Sequence, residues 1–385
     1  MSQCGRNPSD WRKIMKEIPE SPVVAVLGGA GEMGRKAVSI VSGFEGISEL
    51  IVADFDLAAA EKIVAKNMAE AKMSLTAAQV DVTDAEQLAE LLDGVDVVLN
   101  MTGPFYRLGV SVLQAALSAG CHYLDICDDW EPTVDMLALN KEAVESDVVA
   151  IIGIGASPGI SNILARVVCE RLDRVDDLYT VWPVDAGDER GDAIQVVVEE
   201  NQGASAAIVH WMQQISGEIE VVKEGQLVAQ RPMLPVTLNY PNVGEGTGYT
   251  VGHPEPITLV ETMGIRGSSA SLMLLRKSTA AFIDGLRKRI DAGQLSLESG
   301  AKEIGKPSRL GRLKAAFRSF WFPGPGDLPL FFAWARGERN GESCVVGGTV
   351  TSAPADGMAG VTSWPLAIAL RQLLDGRIST VGVHP

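Results

Sequence analysis

Residues 23–34 read VVAVLGGAGEMG and decide the fold of the first part of the chain. A short β-branched run is followed by glycines and then by a helical stretch, so the segment predicts a strand, a tight turn and a helix. Gly29, Gly31 and Gly34 form the pattern G-x-G-x-x-G in the context that a dinucleotide-binding turn requires. We expect Gly29 to permit the tight turn, Gly31 to let a pyrophosphate approach the backbone, and Gly34 to let the helix pack on the strand.

A carboxylate follows the second predicted strand. This residue, Asp54, lies twenty residues after Gly34, where a carboxylate accepts hydrogen bonds from ribose hydroxyls and repels a 2′-phosphate. Phe55 comes next and supplies no compensating cation. We therefore expect NAD as the cofactor, with NADP as the alternative. The predicted cofactor contacts lie at the glycine turn and after successive strands: Gly29, Gly31, Glu32, Met33, Gly34, Asp54, Phe55, Asp81, Val82, Asn100, Thr102, Gly103, Pro104, Ser157 and Pro158.

The pattern of strands and helices changes along the chain. Between residue 22 and about residue 152, strands that are apolar on both faces alternate with helices, which predicts a parallel sheet covered by helices. After Gly159, strand-like segments such as 178–184 and 193–198 alternate with long turns. That pattern is typical of an α+β domain with an antiparallel or mixed sheet.

Composition limits the classes of partner. The formal net charge of −16 argues against nucleic acid, because phosphate binding needs a basic face. Five cysteines without a C-x-x-C pair indicate reduced thiols and hence the cytoplasm. The four histidines have no metal-ligand spacing, so we predict no metal site. We also expect no signal peptide and no transmembrane helix.

One segment departs from the acidic background. Residues 276–318 contain eleven Lys or Arg and four Asp or Glu, and they lead into an aromatic stretch that ends at Phe322. A solvated helix pair with one packed face is the simplest interpretation. The alternatives are a lid over an anionic substrate and a contact with a membrane surface.

Several motifs make the chain similar to a known family. They are VLGGAGEMG at 26–34, NMTGPF at 100–105, AGCHYLDI at 119–126 and GASPGISNILA at 155–165, with GHPEPITL at 252–259 as a looser match. On these residues the chain resembles the saccharopine dehydrogenase-like oxidoreductases, which include lysine 6-dehydrogenase and carboxynorspermidine dehydrogenase. The resemblance is good over about 22–165 and loose beyond.

The resemblance implies an α/β fold in which a Rossmann doubly wound parallel sheet is interrupted by an inserted α+β domain with a mixed or antiparallel sheet. It implies an NAD(P)-binding domain from 22–158 and about 350–385 and a substrate-binding and dimerisation domain from 159–349. Residues 1–21 precede the regular pattern that starts at Pro22, and we expect them to form a short leader. It further implies a homodimer and hydride transfer at a C–N bond, with an amine on one side and an imine on the other.

Asp125 is the first candidate for the catalytic residue. It ends the fifth predicted strand, at the sheet edge where a nicotinamide is expected, and it could handle a proton or bind an ammonium group. A structural carboxylate is the alternative. Asp128 and Asp129 follow in the loop and are weaker candidates.

The candidate substrate contacts are polar side chains near the motifs or in the second domain. They are Tyr106, Arg107, Asn162, His210, His253 and Arg266.

The sequence thus predicts an NAD(P)-dependent dehydrogenase or reductase for a small-molecule amine, imine or amino acid. A reductase for C=C or C=O bonds of a lipid-like substrate is one alternative, because of the aromatic and basic segment. A dinucleotide-binding protein without catalytic activity is the other, since a fold does not fix a function.

Overall fold

The computed structural model describes residues 15–185, 206–352, 354 and 356–385. The chain divides into two compact units. Unit 1 contains the described residues 15–127 with Glu131–Ala156 and Ala359–Pro385, and unit 2 contains Asp128–Trp130 and Ser157–Met358.

The described residues of unit 1 form a seven-stranded parallel sheet. Its strands are β1 (Val23–Leu27), β2 (Glu49–Asp54), β3 (Ser74–Gln79), β4 (Val97–Asn100), β5 (His122–Asp125), β6 (Val149–Ile151) and β15 (Gly382–His384). The spatial order is β15-β6-β5-β4-β1-β2-β3, and the strand order reverses direction between β1 and β4. Such a reversal is where open α/β sheets bind their ligands.

Helices accompany the strands of this sheet. They are α1 (Glu32–Val41), α2 (Leu57–Asn67), α3 (Ala85–Leu92), α4 (Phe105–Ala119), α5 (Trp130–Ala138), α6 (Asn140–Glu145) and α13 (Gly357–Leu374). The sequence predicts one helix over 131–146, whereas the structure has α5 and α6 with Leu139 between them.

Two apolar cores lie on opposite faces of the sheet. Val24 and Val26 belong to one core, while Ala25 and Leu27 belong to the other. Successive side chains of a strand point to opposite faces, so a strand that is buried on both faces must be apolar throughout. This requirement explains the unbroken apolar run that precedes the glycines.

Unit 2 contains a mixed sheet. Its strands are β7 (Arg174–Pro183), β8 (Ile219–Lys223), β9 (Gln226–Gln230), β10 (Pro235–Tyr240), β11 (Gly244–Val251), β12 (Ser269–Leu274), β13 (Phe332–Arg339) and β14 (Glu342–Thr349). The order is β10-β11-β12-β7-β13-β14, and the hairpin of β8 and β9 pairs with β12. Strands β12 and β7 are parallel, and the other paired strands among the described residues of this sheet are antiparallel. The predicted α/β fold with a Rossmann sheet and a second, mixed-sheet domain is confirmed.

The helices of unit 2 include the basic segment of the sequence. They are α7 (Ile160–Cys169), α8 (Ala206–Gln214), α9 (Glu255–Thr262), α10 (Lys277–Asp291), α11 (Leu297–Gly305) and α12 (Arg309–Arg318), which is followed by a 3₁₀ helix (Ser319–Trp321). Among the helices described in the whole chain, none has the length and apolar content needed to span a bilayer. The strand predicted over 193–198 lies outside the described residues.

Candidate active site

The glycine turn after β1 is built by close backbone contacts. Gly28 has a left-handed backbone with φ of 71°, and a Cβ atom there would lie 3.0 Å from the carbonyl oxygen of Met101. The left-handed residue of the turn is therefore Gly28 rather than Gly29, to which the pattern assigns the tight turn. A Cβ on Gly29 would instead lie 2.7 Å from Cγ1 of Val52 on β2.

The other two glycines of the pattern have the expected surroundings. A Cβ on Gly34 would lie 2.0 Å from the carbonyl oxygen of Gly28, so α1 can approach the turn only because this residue is glycine. Gly31 is the N-cap of α1, and a Cβ there would meet only the Gly28 carbonyl oxygen, at 3.2 Å. Glu32 and Met33 follow in the first turn of α1. The backbone N–H groups at the N-terminus of α1 are therefore open to a ligand, and such groups bind a pyrophosphate well.

Asp54 is fixed beside this turn at the end of β2. Its Oδ2 atom accepts a hydrogen bond from the backbone N–H of Ala30 at 2.9 Å, and Oδ1 accepts one from Asp56 at 3.2 Å. Phe55 is 70% exposed. A partly buried carboxylate held against the glycine turn is suitably placed to accept hydrogen bonds from ribose hydroxyls.

The remaining predicted cofactor contacts occupy loops after the strands. After β3, the carboxylate of Asp81 accepts hydrogen bonds from the hydroxyl and backbone N–H of Thr83, which lower the pKa of Asp81, and Val82 lies between them. After β4, the Oδ1 atom of buried Asn100 accepts hydrogen bonds from the backbone N–H and the hydroxyl of Thr102. The next residues, Gly103 and Pro104, lead into α4.

Asp125 is fully buried at the end of β5. Its carboxylate accepts hydrogen bonds from the Tyr123 hydroxyl at 2.9 Å and from the backbone N–H groups of Cys127 and Gly153 at 2.9 and 2.7 Å. Burial, together with the Asp125 charge, raises the pKa of Tyr123. The Asn100 amide donates to the Tyr123 hydroxyl at 2.9 Å. These hydrogen bonds connect the ends of β4 and β5 with Gly153. They favour a positioning role for Asp125, and its catalytic role stays a prediction.

A second group of ionisable side chains lies in unit 2, and we call it the acid–base cluster. Its members are Asp128, Asp129, His210, His253 and Glu255. Histidines 210 and 253 and aspartates 128 and 129 are candidates from the sequence, whereas Glu255 was missed.

Glu255 is the most enclosed carboxylate of the cluster. It begins α9 and is 1% exposed. Its Oε1 atom accepts hydrogen bonds from the hydroxyls of Ser157 and of Ser161, the latter at 2.7 Å. Its Oε2 atom accepts one from the Ser271 hydroxyl at 2.9 Å and pairs with Nδ1 of His253 at 2.6 Å. Three hydroxyls and an imidazole thus compensate the buried charge.

The pKa values of His253 and Glu255 shift in opposite directions. Burial alone would raise the pKa of Glu255, but the charge and hydrogen bond of His253 and the two serine hydroxyls lower it to about 2. Burial alone would lower the pKa of His253, but the Glu255 charge and hydrogen bond raise it overall. With Nδ1 donating to Glu255, Nε2 has no hydrogen-bond partner among the described residues. Nε2 is therefore the atom available for proton exchange with a ligand.

His210 lies between two carboxylates. Its Nε2 atom pairs with Oδ1 of Asp129, which is buried, and its Nδ1 atom lies 3.8 Å from Oδ1 of Asp128. The Asp128 side chain retains 42% exposure. Desolvation by the surrounding protein nevertheless raises the pKa of Asp128. The charges of His210 and His253 act in the opposite direction, but their effect is smaller. Asp128 is thus a partly accessible carboxylate with increased basicity.

Helix α8 holds the cluster in position through hydrogen bonds. His210 and Gln214 are four residues apart and so share one face of this helix. The Gln214 side-chain amide donates to the Asp128 carbonyl at 2.9 Å, and the Gln214 carbonyl accepts from the Gly252 N–H at 2.8 Å. A Cβ on Gly252 would lie 2.7 Å from Cγ2 of Ile219. The segments before α5 and before α9 are therefore both held by α8.

The other predicted substrate contacts have different surroundings. The Asn162 side-chain amide donates a hydrogen bond to the Thr258 hydroxyl of α9 at 3.2 Å. Ser157, predicted as a cofactor contact, instead donates its hydroxyl to Glu255. Ser157 and the next residue, Pro158, both belong to unit 2. The predicted contacts Tyr106 and Arg107 lie in the first turn of α4, in unit 1. Arg266 is exposed before β12, where its charge lowers the pKa of Asp176 after the larger effect of Arg174. The structure therefore places His210 and His253 in the acid–base cluster, whereas Arg266 lies outside it.

The cluster favours a cation. Three carboxylates are balanced by at most two imidazolium groups, so the charge of the five side chains is negative in every protonation state that keeps the carboxylates ionised. A substrate ammonium group can supply the missing positive charge. Donor atoms of Asp128, Asp129 and His210 also lie within 4.8 Å of one another, as a divalent metal ion would require. His253 adds a group that can accept or donate a proton.

Comparison with known proteins bears on unit 1 and on the fold. Residues 24–151 match the family model of the saccharopine dehydrogenase NADP-binding domain. Among solved structures, saccharopine dehydrogenase (L-Glu forming) from Saccharomyces cerevisiae is 16% identical in sequence, with 94% of each chain covered and a TM-score of 0.60. At this identity the likeness shows the fold alone.

Two further solved structures have lower TM-scores. GenD2 from gentamicin A biosynthesis, in complex with NAD, is 12% identical over 96% of this chain and 90% of its own, with a TM-score of 0.41. A short-chain type dehydrogenase/reductase from Mycobacterium ulcerans is 15% identical over 35% of this chain and 68% of its own, with a TM-score of 0.30. The family match and the glycine turn together identify residues 24–151 as an NAD(P)-binding domain similar to that of saccharopine dehydrogenase.

Proposed function

We propose that the chain transfers hydride reversibly between NAD and the C–N bond of a small polar amine or amino acid. The observation that carries this proposal is the excess of carboxylates in the acid–base cluster, which favours a cationic ligand over a neutral or lipid-like one. The resemblance of the sequence to amine-oxidising dehydrogenases supports the same substrate class.

The reaction requires one proton acceptor besides the nicotinamide. Oxidation of a primary ammonium R₂CH–NH₃⁺ to the iminium R₂C=NH₂⁺ releases one hydride, which a bound NAD⁺ would take up, and one proton, which a group of the protein would accept. Asp128 and Asp129 would hold the ammonium group, and Nε2 of His253 would accept its proton before the hydride leaves. Glu255 would act as a positioning residue, since it fixes the His253 ring through Nδ1. When bound, the nicotinamide supplies the hydride chemistry itself.

The test is a screen of amines and amino acids with NAD⁺ and with NADP⁺, followed by the absorbance of the reduced nicotinamide. For an amine that is turned over, His253→Asn should lower kcat/KM by about 10²- to 10⁴-fold, the usual contribution of a general acid or base. Glu261→Gln is the matched control, because Glu261 lies on α9 but is exposed. Nucleotide binding without turnover of any amine or imine would support the inactive binding protein instead.

Asp125 is the competing candidate for proton handling. Asp125→Asn in the same assay distinguishes the two, provided that the variant still binds NAD. If Asp125→Asn abolishes turnover while His253→Asn does not, the assignment to the acid–base cluster is wrong.

A divalent metal ion is the second candidate for the cation in the cluster. The proximity of donor atoms from Asp128, Asp129 and His210 favours it. Activity that is lost on dialysis against a chelator and restored by a metal salt would support the metal. Activity that survives chelation supports direct binding of the ammonium group.

A further inference from the structure

The surface of α12 and the 3₁₀ helix that follows combines exposed apolar side chains with cations. We call it the α12 surface. Its apolar members are Leu310, Leu313, Phe317, Phe320 and Trp321, and all five are more than half exposed. Phe320 is the most exposed of them, at 85%. A soluble protein rarely leaves such large side chains grouped at its surface without a binding role.

The charges of the α12 surface have one sign. Between Ile304 and Gly326 the sequence contains five Lys or Arg and no Asp or Glu, in a chain whose net charge is −16. Arg318 pairs with Asp284 of α10 at 2.5 Å. The other four are exposed and have no ion pair among the described residues: Lys306, Arg309, Arg312 and Lys314. The local positive charge is therefore not used within unit 2.

The helix arranges the two kinds of side chain in a defined way. At about 100° per residue, Leu310, Leu313 and Phe317 fall within about 60° of one another on the helix circumference. Ala315, on the opposite side, is buried. Arg309 and Lys314 lie on either side of the apolar stripe, about 70° from its centre. The stripe also borders an open, mainly apolar cavity of about 930 Å³ between α10 and α12.

We propose that the α12 surface binds an anionic phospholipid bilayer, with α12 lying in the plane of the interface. A helix of this kind buries its apolar face about 5–10 Å into the boundary between headgroups and acyl chains, while its cations contact the headgroups. Phe320 and Trp321 extend the stripe, and Trp is favoured at that depth. A small anionic substrate under a lid would use the cations but would give the five exposed apolar side chains no partner.

A second copy of the chain is a poorer occupant. A two-fold symmetric contact brings the same patch of both subunits together, so the four unpaired cations of one copy would approach those of the other. That repulsion favours a negatively charged partner.

The test is flotation of the full-length protein with vesicles of phosphatidylcholine and phosphatidylglycerol, compared with vesicles of phosphatidylcholine alone. We expect binding to the anionic vesicles, weakened by salt because surface charges are screened. In Arg309→Gln/Lys314→Gln, each lost cation should weaken partitioning about fivefold, which corresponds to about 1 kcal/mol. Phe320→Ser/Trp321→Ser should also reduce binding.

Matched controls come from the hairpin of β8 and β9. Lys223 and Leu227 are exposed there, and Lys223→Gln/Leu227→Ser should bind vesicles as the wild type does. Equal binding to both kinds of vesicle would overturn the proposal. It would also be overturned if both α12 variants keep the wild-type melting temperature, and so are folded, but bind the anionic vesicles as the wild type does. Self-association that is lost in Phe320→Ser/Trp321→Ser without any vesicle binding would overturn it as well, since it would assign the surface to a second copy.

Discussion

At the scale of single residues, the buried pair of His253 and Glu255 dominates the energetics of the acid–base cluster. Both are almost fully buried, and their charges compensate each other. Removal of one charge leaves the other buried without its partner, which typically costs about 3–5 kcal/mol. Much of that cost arises from desolvation of the remaining charge.

We therefore predict that Glu255→Gln lowers the free energy of unfolding by about 3 kcal/mol. Chemical denaturation followed by circular dichroism measures the difference. The exposed control Glu261→Gln should change it by less than about 0.5 kcal/mol. An equal effect of both variants would show that the buried pair does not stabilise the fold.

The same pair sets a pH dependence of stability. The pKa of Glu255 is lowered from 4.5 to about 2, so its contribution is present above pH 4.5 and is lost as the pH falls toward 2. The pKa of His253 is raised above 6.5, so its contribution is present below pH 6.5 and is lost as the pH rises through the higher value.

We predict that the stability gained from the pair is greatest between these two limits. Denaturation midpoints measured from acid to alkaline pH test this. His253→Asn should flatten the alkaline side of the profile in comparison with the wild type. An unchanged alkaline side would contradict the raised pKa of His253.

At the scale of elements, the junction of β1 and α1 depends on the absence of one side chain. Gly34→Ala would place a Cβ atom 2.0 Å from a backbone oxygen, whereas Gly43→Ala, just after α1, would meet its nearest neighbour at 3.5 Å. We predict that Gly34→Ala loses NAD binding and that Gly43→Ala keeps it. In thermal melts, NAD at 100 times its Kd should stabilise the wild type and Gly43→Ala by about 2.7 kcal/mol. Stabilisation of Gly34→Ala to the same extent would contradict this account of the turn.

We predict that the end of β2 sets the preference between NAD and NADP. The carboxylate of Asp54 should favour NAD, and Asp54→Ser/Phe55→Arg should shift the ratio of kcat/KM values toward NADP by at least tenfold. Phe55→Arg alone is the control, because it adds the cation and leaves the carboxylate that anchors Ala30. A wild type that prefers NADP would show that a cation from elsewhere compensates the 2′-phosphate.

The sequence could predict elements whose pattern is local. The strand, turn and helix around Gly31 are specified within about a dozen residues, and the apolar runs of the parallel strands follow from burial on both faces. The break between α5 and α6 at Leu139 was not predicted, because that residue continues the apolar pattern of a single helix.

The acid–base cluster could be predicted only in part. His253 and His210 stood out as rare ionisable residues, but Glu255 was one of many acidic residues. Its serine partners at 157 and 161 lie 98 and 94 residues away in the chain. Such contacts depend on the pairing of distant elements, which periodicity does not encode. The short segment 253–256, His-Pro-Glu-Pro, was the only available signal, because a proline-flanked carboxylate is well placed to begin a helix.

At the scale of the whole molecule, the resemblance to the family predicts a homodimer. Sedimentation equilibrium should then give twice the chain mass of 40.9 kDa. The α12 variants should leave this mass unchanged, since we assign that surface to a bilayer. A monomer at all concentrations would contradict the dimer and leave the vesicle experiment valid.

The proposed function requires hydride to pass between the nicotinamide and a carbon that bears nitrogen. The most direct measurement uses amines deuterated at that carbon, with mass spectrometry of the reduced nicotinamide. We predict that the cofactor gains one deuterium, and that His253→Asn slows this transfer while the exposed control Glu261→Gln does not. Reduced cofactor that carries no deuterium, or no reduction with any amine, would contradict the claim.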